Sequence, residues 1–590
     1  MKKKVFLSVL CMTLVAMVGC KQKKSVSSEC EERKVTSHIA PETSDPISIE
    51  QSKLCGTLKL WGGAYPKSLN MWLDYNSFSG DVMGLFFESL VELHSTENKP
   101  VGILAESWTK AEDGKSFTFK IRKEAKWSDG KSITARDFQF YYDVMMDEKN
   151  QTPIFRVGLK RFERPEIIDE QTLKITAKEF HWKNFWEAGG LIAFPAHAWE
   201  GKDFNQINWE FPVVSGPYEL SELKKERSLT LKRRTDWWGD ALTYNKGKYN
   251  FSKLRYRFMQ DRTKALEALK KGTFDIYPIY TSSIWAKQTD FKQVQQNHIV
   301  KQKVYNKEPL GYQGMAMNLR LEKFKDLRVR KALELLLNRG HMNEKLMYNA
   351  YFLLNSYYPD LYPNNINPNK EVVKYNADEA RKLLKEAGYV VNANGKLEKD
   401  GKVLSVEFIT AMEDLRHLTI YLEDLKAVGI DESIKKLTWS AIRKQLDEHN
   451  FEMYWIAWGA SRFRDPEAAW SSKEAMKKAS NNIPGFQNAQ VDLYIDSLKT
   501  ISNLDERDRM IKAMDEILFE EKPYVLLWQK EYHRLLYWNR FQTPNSVLSK
   551  FGDPSSAVVY WALDEQKAEA LKNAKSSSES LPKPIFEVKY

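Results

Sequence analysis

The chain has 590 residues with a formal net charge of +11, 42% hydrophobic, 29% charged and 13% aromatic. That length exceeds what one hydrophobic core supports, so two to four domains are expected. The positive charge is spread along the chain and forms no basic block, which argues against nucleic acid and for a basic surface or acidic ligands. The excess of Trp, Tyr and Phe suits core packing together with an aromatic-lined ligand cavity.

Residues 1–19 read as an export signal. Lys2, Lys3 and Lys4 form a positive start, and the apolar run from Val5 to Val18 is too short for a comfortable membrane span. Gly19-Cys20 resembles a lipobox, in which Cys20 becomes lipid-modified and the new N-terminus; the alternative is an ordinary cleaved signal with an incidental Cys. Cleavage removes three lysines, leaving +11 − 3 = +8. No later stretch approaches the roughly 20 apolar residues of a span. Beyond Cys11 and Cys20 only Cys30 and Cys55 remain. In an oxidising envelope they form either one disulfide or free or partner-linked thiols. No Cys or His cluster has metal-ligand spacing, so neither metal nor cofactor is expected.

Residues 20–54 are polar and read as a flexible tether. Strand-like alternation begins at Cys55 to Trp61 and recurs at 117–127, 228–234 and 254–258. Thr134 is a helix N-cap with Asp137 at the third helical position. Further helices are expected at 262–271, stopped by Gly272, and at 326–338, 376–387 and 505–520; Gly388 suits the end of the third. The tail 575–590 reads as loosely ordered. This mixture of strands and helices gives an α/β or α+β protein.

Several stretches, in order, carry a resemblance: LAESWTKAEDGKSFTFKIRKEAKWSDGKSITARDFQF (104–140), SGPYEL (215–220), KKGTFDI (270–276), FKDLRVRKAL (324–333), EARKLLKEAGY (379–389) and Asp465-Pro466. Together they resemble the family 5 extracellular solute-binding proteins, receptors of peptide and nickel ABC importers. SITARDFQF (132–140), the run 236–258, LMYNAYFLLNSYY (346–358), and WSSKEA (470–475) with 484–498 are most similar to the branch named for microcin C, oligopeptides and muropeptides.

The resemblance implies an α/β, periplasmic binding protein-like (Venus flytrap) fold of two lobes plus an inserted domain, closing about hinges near 300–308 and 520–530. Lobe 1 would comprise 55–72, 196–300 and 526–565, with 73–195 inserted; lobe 2 would be 301–525, and 566–590 a C-terminal tail. The segment around Asp465-Pro466 would border the ligand. Relatives that bind free peptides often carry an Asp three residues earlier, where Arg462 stands here. The reversed charge favours a ligand with a blocked N-terminus or an anionic group. Alternatively, Arg462 and Arg464 face solvent or pair with Asp465 and Glu467. Trp458 is a cleft candidate for stacking. Gly62, Gly63, Asn76 and Phe78 occupy positions where the family often contacts ligand; Tyr312 and Asn318 near one hinge, and Trp528 and Tyr532 near the other, are further candidates.

The function implied is a lipid-anchored extracytoplasmic receptor, acting as a monomer without chemistry. It would deliver a peptide or modified peptide to ABC permease subunits in the inner membrane. A peptide-sensing receptor and a cell-envelope hydrolase are the alternatives. The second is disfavoured because GxSxG, HExxH and Gly-rich phosphate loops are all missing from the sequence. No nucleic-acid partner is expected.

Overall fold

The computed structural model describes residues 30, 31, 39, 43–412 and 414–590. The leader at 1–19 and Cys20 lie outside the described residues.

Two mixed sheets organise two lobes. The larger has eight strands in the order Tyr218–Lys224, Ser228–Arg233, Lys253–Arg257, Thr57–Trp61, Ile276–Pro278, His533–Trp538, Ile299–Tyr305 and Glu587–Lys589. Its centre is parallel, with Thr57–Trp61 running alongside both Lys253–Arg257 and Ile276–Pro278. The second sheet has five strands: Asp431–Lys436, Ser405–Thr410, Met453–Ala457, Gln313–Met317 and Tyr524–Leu526. Here too the first three are parallel. Helices pack over both sheets, so each lobe has its own buried core.

A separate four-stranded antiparallel sheet, Ala105–Lys110, Ser116–Ile121, Thr172–Thr176 and Glu166–Asp169, shares one buried core with the large sheet. Its alternation is simple. Phe117, Phe119 and Ile121 point inward, while Thr118 is partly buried and Lys120 is exposed, the period-2 pattern of a half-buried strand. The following helix, Ala135–Met146, begins as its sequence predicts: the Asp137 carboxylate accepts from the Thr134 backbone N–H at 2.8 Å. The helices Arg262–Lys270, Leu327–Leu335, Ala377–Glu386 and Leu504–Glu521 also form where the apolar spacing and stop residues place them.

The chain crosses between lobes twice, along neighbouring strands. Ile299–Tyr305 leads out of the large sheet and His533–Trp538 returns to it, with Val304 opposite His533. His533 Nε2 and the Glu308 carboxylate meet at 2.9 Å across the crossing. Gly311 sits on this path because a Cβ there would lie 1.8 Å from the Trp458 carbonyl oxygen. Only a residue without a side chain allows that approach.

Two expectations need correction. The tail is not loosely ordered: Glu565–Ser577 is helical and Glu587–Lys589 is the eighth strand of the large sheet. The strand covers an edge that would otherwise present unpaired backbone groups, and Phe586 stacks on Trp285 at 6.2 Å. Nor are residues 43–54 free of the fold. Asp45 is buried against Lys248 at 2.8 Å and accepts from the hydroxyls of Ser95 and Tyr560, so partners rather than apolar area hold this polar segment. Cys30 and Cys55 form a disulfide that joins the two short strands Cys30–Glu31 and Leu54–Cys55.

Candidate functional site

In open α/β sheets, ligands bind outside the carboxyl ends of parallel strands, where the chain turns away and leaves a crevice. Both lobes follow this rule. In the first, the ends of Thr57–Trp61 and Ile276–Pro278 open into a cavity of about 550 Å³. In the second, the end of Met453–Ala457 leads into the loop Trp458–Pro466. That loop reaches a larger cavity of about 760 Å³ between the lobes, beside the hinge crossings. The two cavities adjoin at the 551–553 turn, with Phe551 in the larger and Asp553 in the smaller.

The loop 458–467 grips the opposite lobe. The Arg462 guanidinium donates to the His94 carbonyl at 3.0 Å and to Asn98 Oδ1 at 2.6 and 3.0 Å. It also donates to the Glu97 carbonyl and lies over the Phe551 ring at 3.8 Å. Burial brings its pKa down to about 10. Phe463 packs against Trp186 at 4.7 Å and Trp182 at 6.0 Å. Arg507, from the helix Leu504–Glu521, lies over the Trp182 ring. Asp465 is ion-paired with Lys183, and Glu467 with Lys499 at 2.8 Å. Burial opposes the charged form of Asp465, but the neighbouring Lys183 outweighs it and holds the carboxyl below its ordinary range.

Arg462 and Arg464 therefore pair with neither Asp465 nor Glu467. Arg464 meets Asp360 at 2.6 Å and Asp508 at 3.2 Å within its own lobe. It lines the larger cavity together with Arg462 and Tyr532. Gly62, Gly63 and Phe78 come together in the smaller cavity. Gly63 adopts φ +66°, a conformation favouring glycine.

Other candidates are structural. Asn76 caps the helix Ser77–Phe86, its Oδ1 accepting from the Ser79 N–H at 2.9 Å. Tyr312 is only 6% exposed and packs edge-on to Tyr357 and Tyr524 in the second lobe's core. Trp528, 3% exposed, packs against Trp455. Large rings at strand ends bury most area by turning inward, which places both off the cleft. Asn318 is buried as well, holding the carbonyls of residues 449 and 451. Trp458 is half-buried and donates to the Tyr524 hydroxyl at 3.2 Å.

Sequence reasoning missed Asp81, Asp553 and the aromatic grip of Trp182 and Trp186. Asp81 lies on the helix Ser77–Phe86 and faces the smaller cavity. Enclosure by the pocket walls, with Asp553 adding to it, raises its pKa to about 7. Beside the grip, His181 lies within 4.8 Å of Asp465 and Glu467. Lys183 and Lys499 already balance those two carboxylates. Burial, with Arg161 and Lys183 alongside, lowers the His181 pKa to about 3.

The model of the bacterial extracellular solute-binding proteins, family 5, matches residues 99–479. A probable peptide-binding protein YejA from Agrobacterium fabrum is 26% identical over 513 residues, covering 79% of this chain and 83% of that one. Among solved structures, the oligopeptide-binding protein AppA from Bacillus subtilis, in complex with a nonapeptide, aligns with a TM-score of 0.69 and 22% identity, over 86% of this chain and 99% of that one. The binding protein DppA from Helicobacter pylori, in complex with the peptide STSA, gives 0.69 and 19% identity, over 86% and 98%. Among the described residues no helix is long and apolar enough to cross a membrane.

Proposed function

Because the chain belongs to the bacterial extracellular solute-binding proteins, family 5, we propose that it is the lipid-anchored receptor of an ABC importer for peptides or modified peptides. It captures the solute between its lobes and passes it, chemically unchanged, to membrane permease subunits. The observation that carries this reading is the pair of adjoining cavities at the strand ends, with Arg462 and Arg464 of the loop 458–467 on the wall of the larger one. Their combined size suits a ligand of several residues, and ligand burial between two lobes is how such proteins couple binding to closure. The relatives' names support a peptide as the solute.

Arg462 takes a revised role in this proposal. Its donors are engaged by residues 94–98, so it acts as a clasp between lobes. A counter-ion for an anionic ligand is thereby displaced as its main task. The test is native mass spectrometry of the mature protein after incubation with a peptide mixture and with muropeptides. Retention of intact peptides at 1:1 stoichiometry is expected. Protein-dependent cleavage products would overturn the receptor reading, as would failure to retain any peptide.

A further inference from the structure

The 550 Å³ cavity is lined by two acidic residues, Asp81 and Asp553, and by no Lys, Arg or His. Asp553 uses one carboxylate oxygen to accept from the N–H and the hydroxyl of Ser555, at 2.8 and 2.6 Å. Among the described residues, Asp81 has neither a hydrogen bond nor an ion pair. Two carboxylates facing one cavity repel each other, and no basic residue stands on its wall, the Lys530 ammonium acting on Asp553 from the neighbouring cavity. The rest of the wall is aliphatic, glycine, proline and serine, together with five aromatic rings, Trp61, Phe78, Tyr249, Tyr256 and Tyr280. Ring faces and carboxylates together form an environment complementary to a desolvated organic cation. The neighbouring larger cavity is of mixed sign, with Lys307, Lys530 and Lys550 on its wall beside Glu308, Asp360 and Asp508.

We propose that the smaller cavity seats a cationic group of the captured solute, an ammonium or guanidinium of a peptide, with Asp81 as its counter-ion and Asp553 as a second carboxylate. This rests on the receptor reading above and specifies its substrate class. Negative charge on this wall stands on the helix Ser77–Phe86 and the 551–553 turn. A bound cation would offset the desolvation and the Asp553 charge that disfavour the ionised Asp81.

The experiment compares Ala-Ala-Lys-Ala with its norleucine counterpart by isothermal titration, using the mature wild type, Asp81→Asn and Asp81→Glu. No hydrogen bond or ion pair of Asp81 is lost by substitution, so all three should fold, with Asp81→Asn melting no lower than the wild type. The lysine peptide is expected to bind the wild type about tenfold tighter or more. Asp81→Asn should abolish that preference and Asp81→Glu should keep most of it. Equal binding of the two peptides, or a preference surviving Asp81→Asn, overturns the cation seat and leaves the receptor reading standing. If neither peptide binds, thermal shift with millimolar cadaverine decides. A stabilisation lost in Asp81→Asn supports the seat even though the peptide reading has failed; no Asp81-dependent shift overturns it.

Discussion

The guanidinium of Arg507 lies 3.6 Å above the ring centre of Trp182. One belongs to the second lobe and the other to the first, and neither lines either cavity. The backbone N–H of Trp182 also donates to the Lys499 carbonyl at 3.0 Å. This contact between the lobes thus lies apart from both cavities, unlike the one made by Arg462.

Trp182→Ala removes both the cation–π contact and the packing of Phe463. A desolvated contact of this kind is worth about 2 kcal/mol. The closed form should lose roughly that much relative to the open form, and apparent affinity for a solute that needs closure should fall by up to about thirtyfold. Small-angle scattering of the solute-bound protein should show a larger radius of gyration. Unchanged scattering and affinity would remove Trp182 from the closing apparatus.

Arg462→Ala should weaken binding of acidic, neutral and basic peptides by similar factors, on the order of tenfold, because it loosens the hold on residues 94–98 without altering the smaller cavity. Calorimetry across three matched peptides reads this directly. A loss confined to acidic peptides would instead make Arg462 the counter-ion of a ligand carboxylate.

Acid should open the lobes. His181 has its pKa lowered to about 3 in the closed arrangement, against about 6.5 when unfolded or freed. Between those values the closed form binds fewer protons, so closure is favoured above pH 6.5 and lost progressively as pH falls toward 3. Arg161, Lys183 and Arg507 reinforce the effect, and Asp465 opposes it. His181→Gln should flatten the pH dependence of ligand affinity between pH 6.5 and 4.5. An unaltered profile would assign the acid sensitivity to other groups.

Glu88 predicts the opposite slope for overall stability. It is 5% exposed, and burial raises its pKa to about 8 even though it accepts from Trp238 Nε1 at 2.9 Å. The folded chain holds its proton between about pH 4.5 and 8 while the unfolded chain releases it, so Glu88 costs stability as pH rises through that window. Glu88→Gln should melt like the wild type near pH 5 and higher than it at pH 8.5. The gain should be about 1–3 kcal/mol. A constant offset at both pH values would mean Glu88 does not titrate in the fold.

Local patterns carried much of the architecture. Thr134 with Asp137 and the apolar spacing of 262–271 are signals that neighbours in sequence supply, and the helices form there. The 458–467 loop was legible because Asp465-Pro466 stands in a resemblance, yet its true partners, residues 94–98 and 181–186, are hundreds of positions away. Asp81 was illegible for the same reason: a single acid in SGDVMG acquires meaning only when Asp553 is brought beside it. Tyr312 and Trp528 misled because a ring near a hinge can turn to the cleft or to the core, and only packing decides. The strand Glu587–Lys589 is three residues long, too short for any period to declare itself.

That short strand runs parallel to Ile299–Tyr305, with Lys589 opposite Tyr305, and the Tyr590 N–H bonds to the Tyr305 carbonyl. Tyr305 is the last residue of the strand before the chain leaves for the other lobe. The C-terminal strand is therefore a splint on one arm of the pivot, and bending at residue 306 or beyond leaves it riding with the first lobe. A dye placed at position 590, with a second on the far lobe, would turn solute capture into an optical signal without altering any residue that lines the smaller cavity.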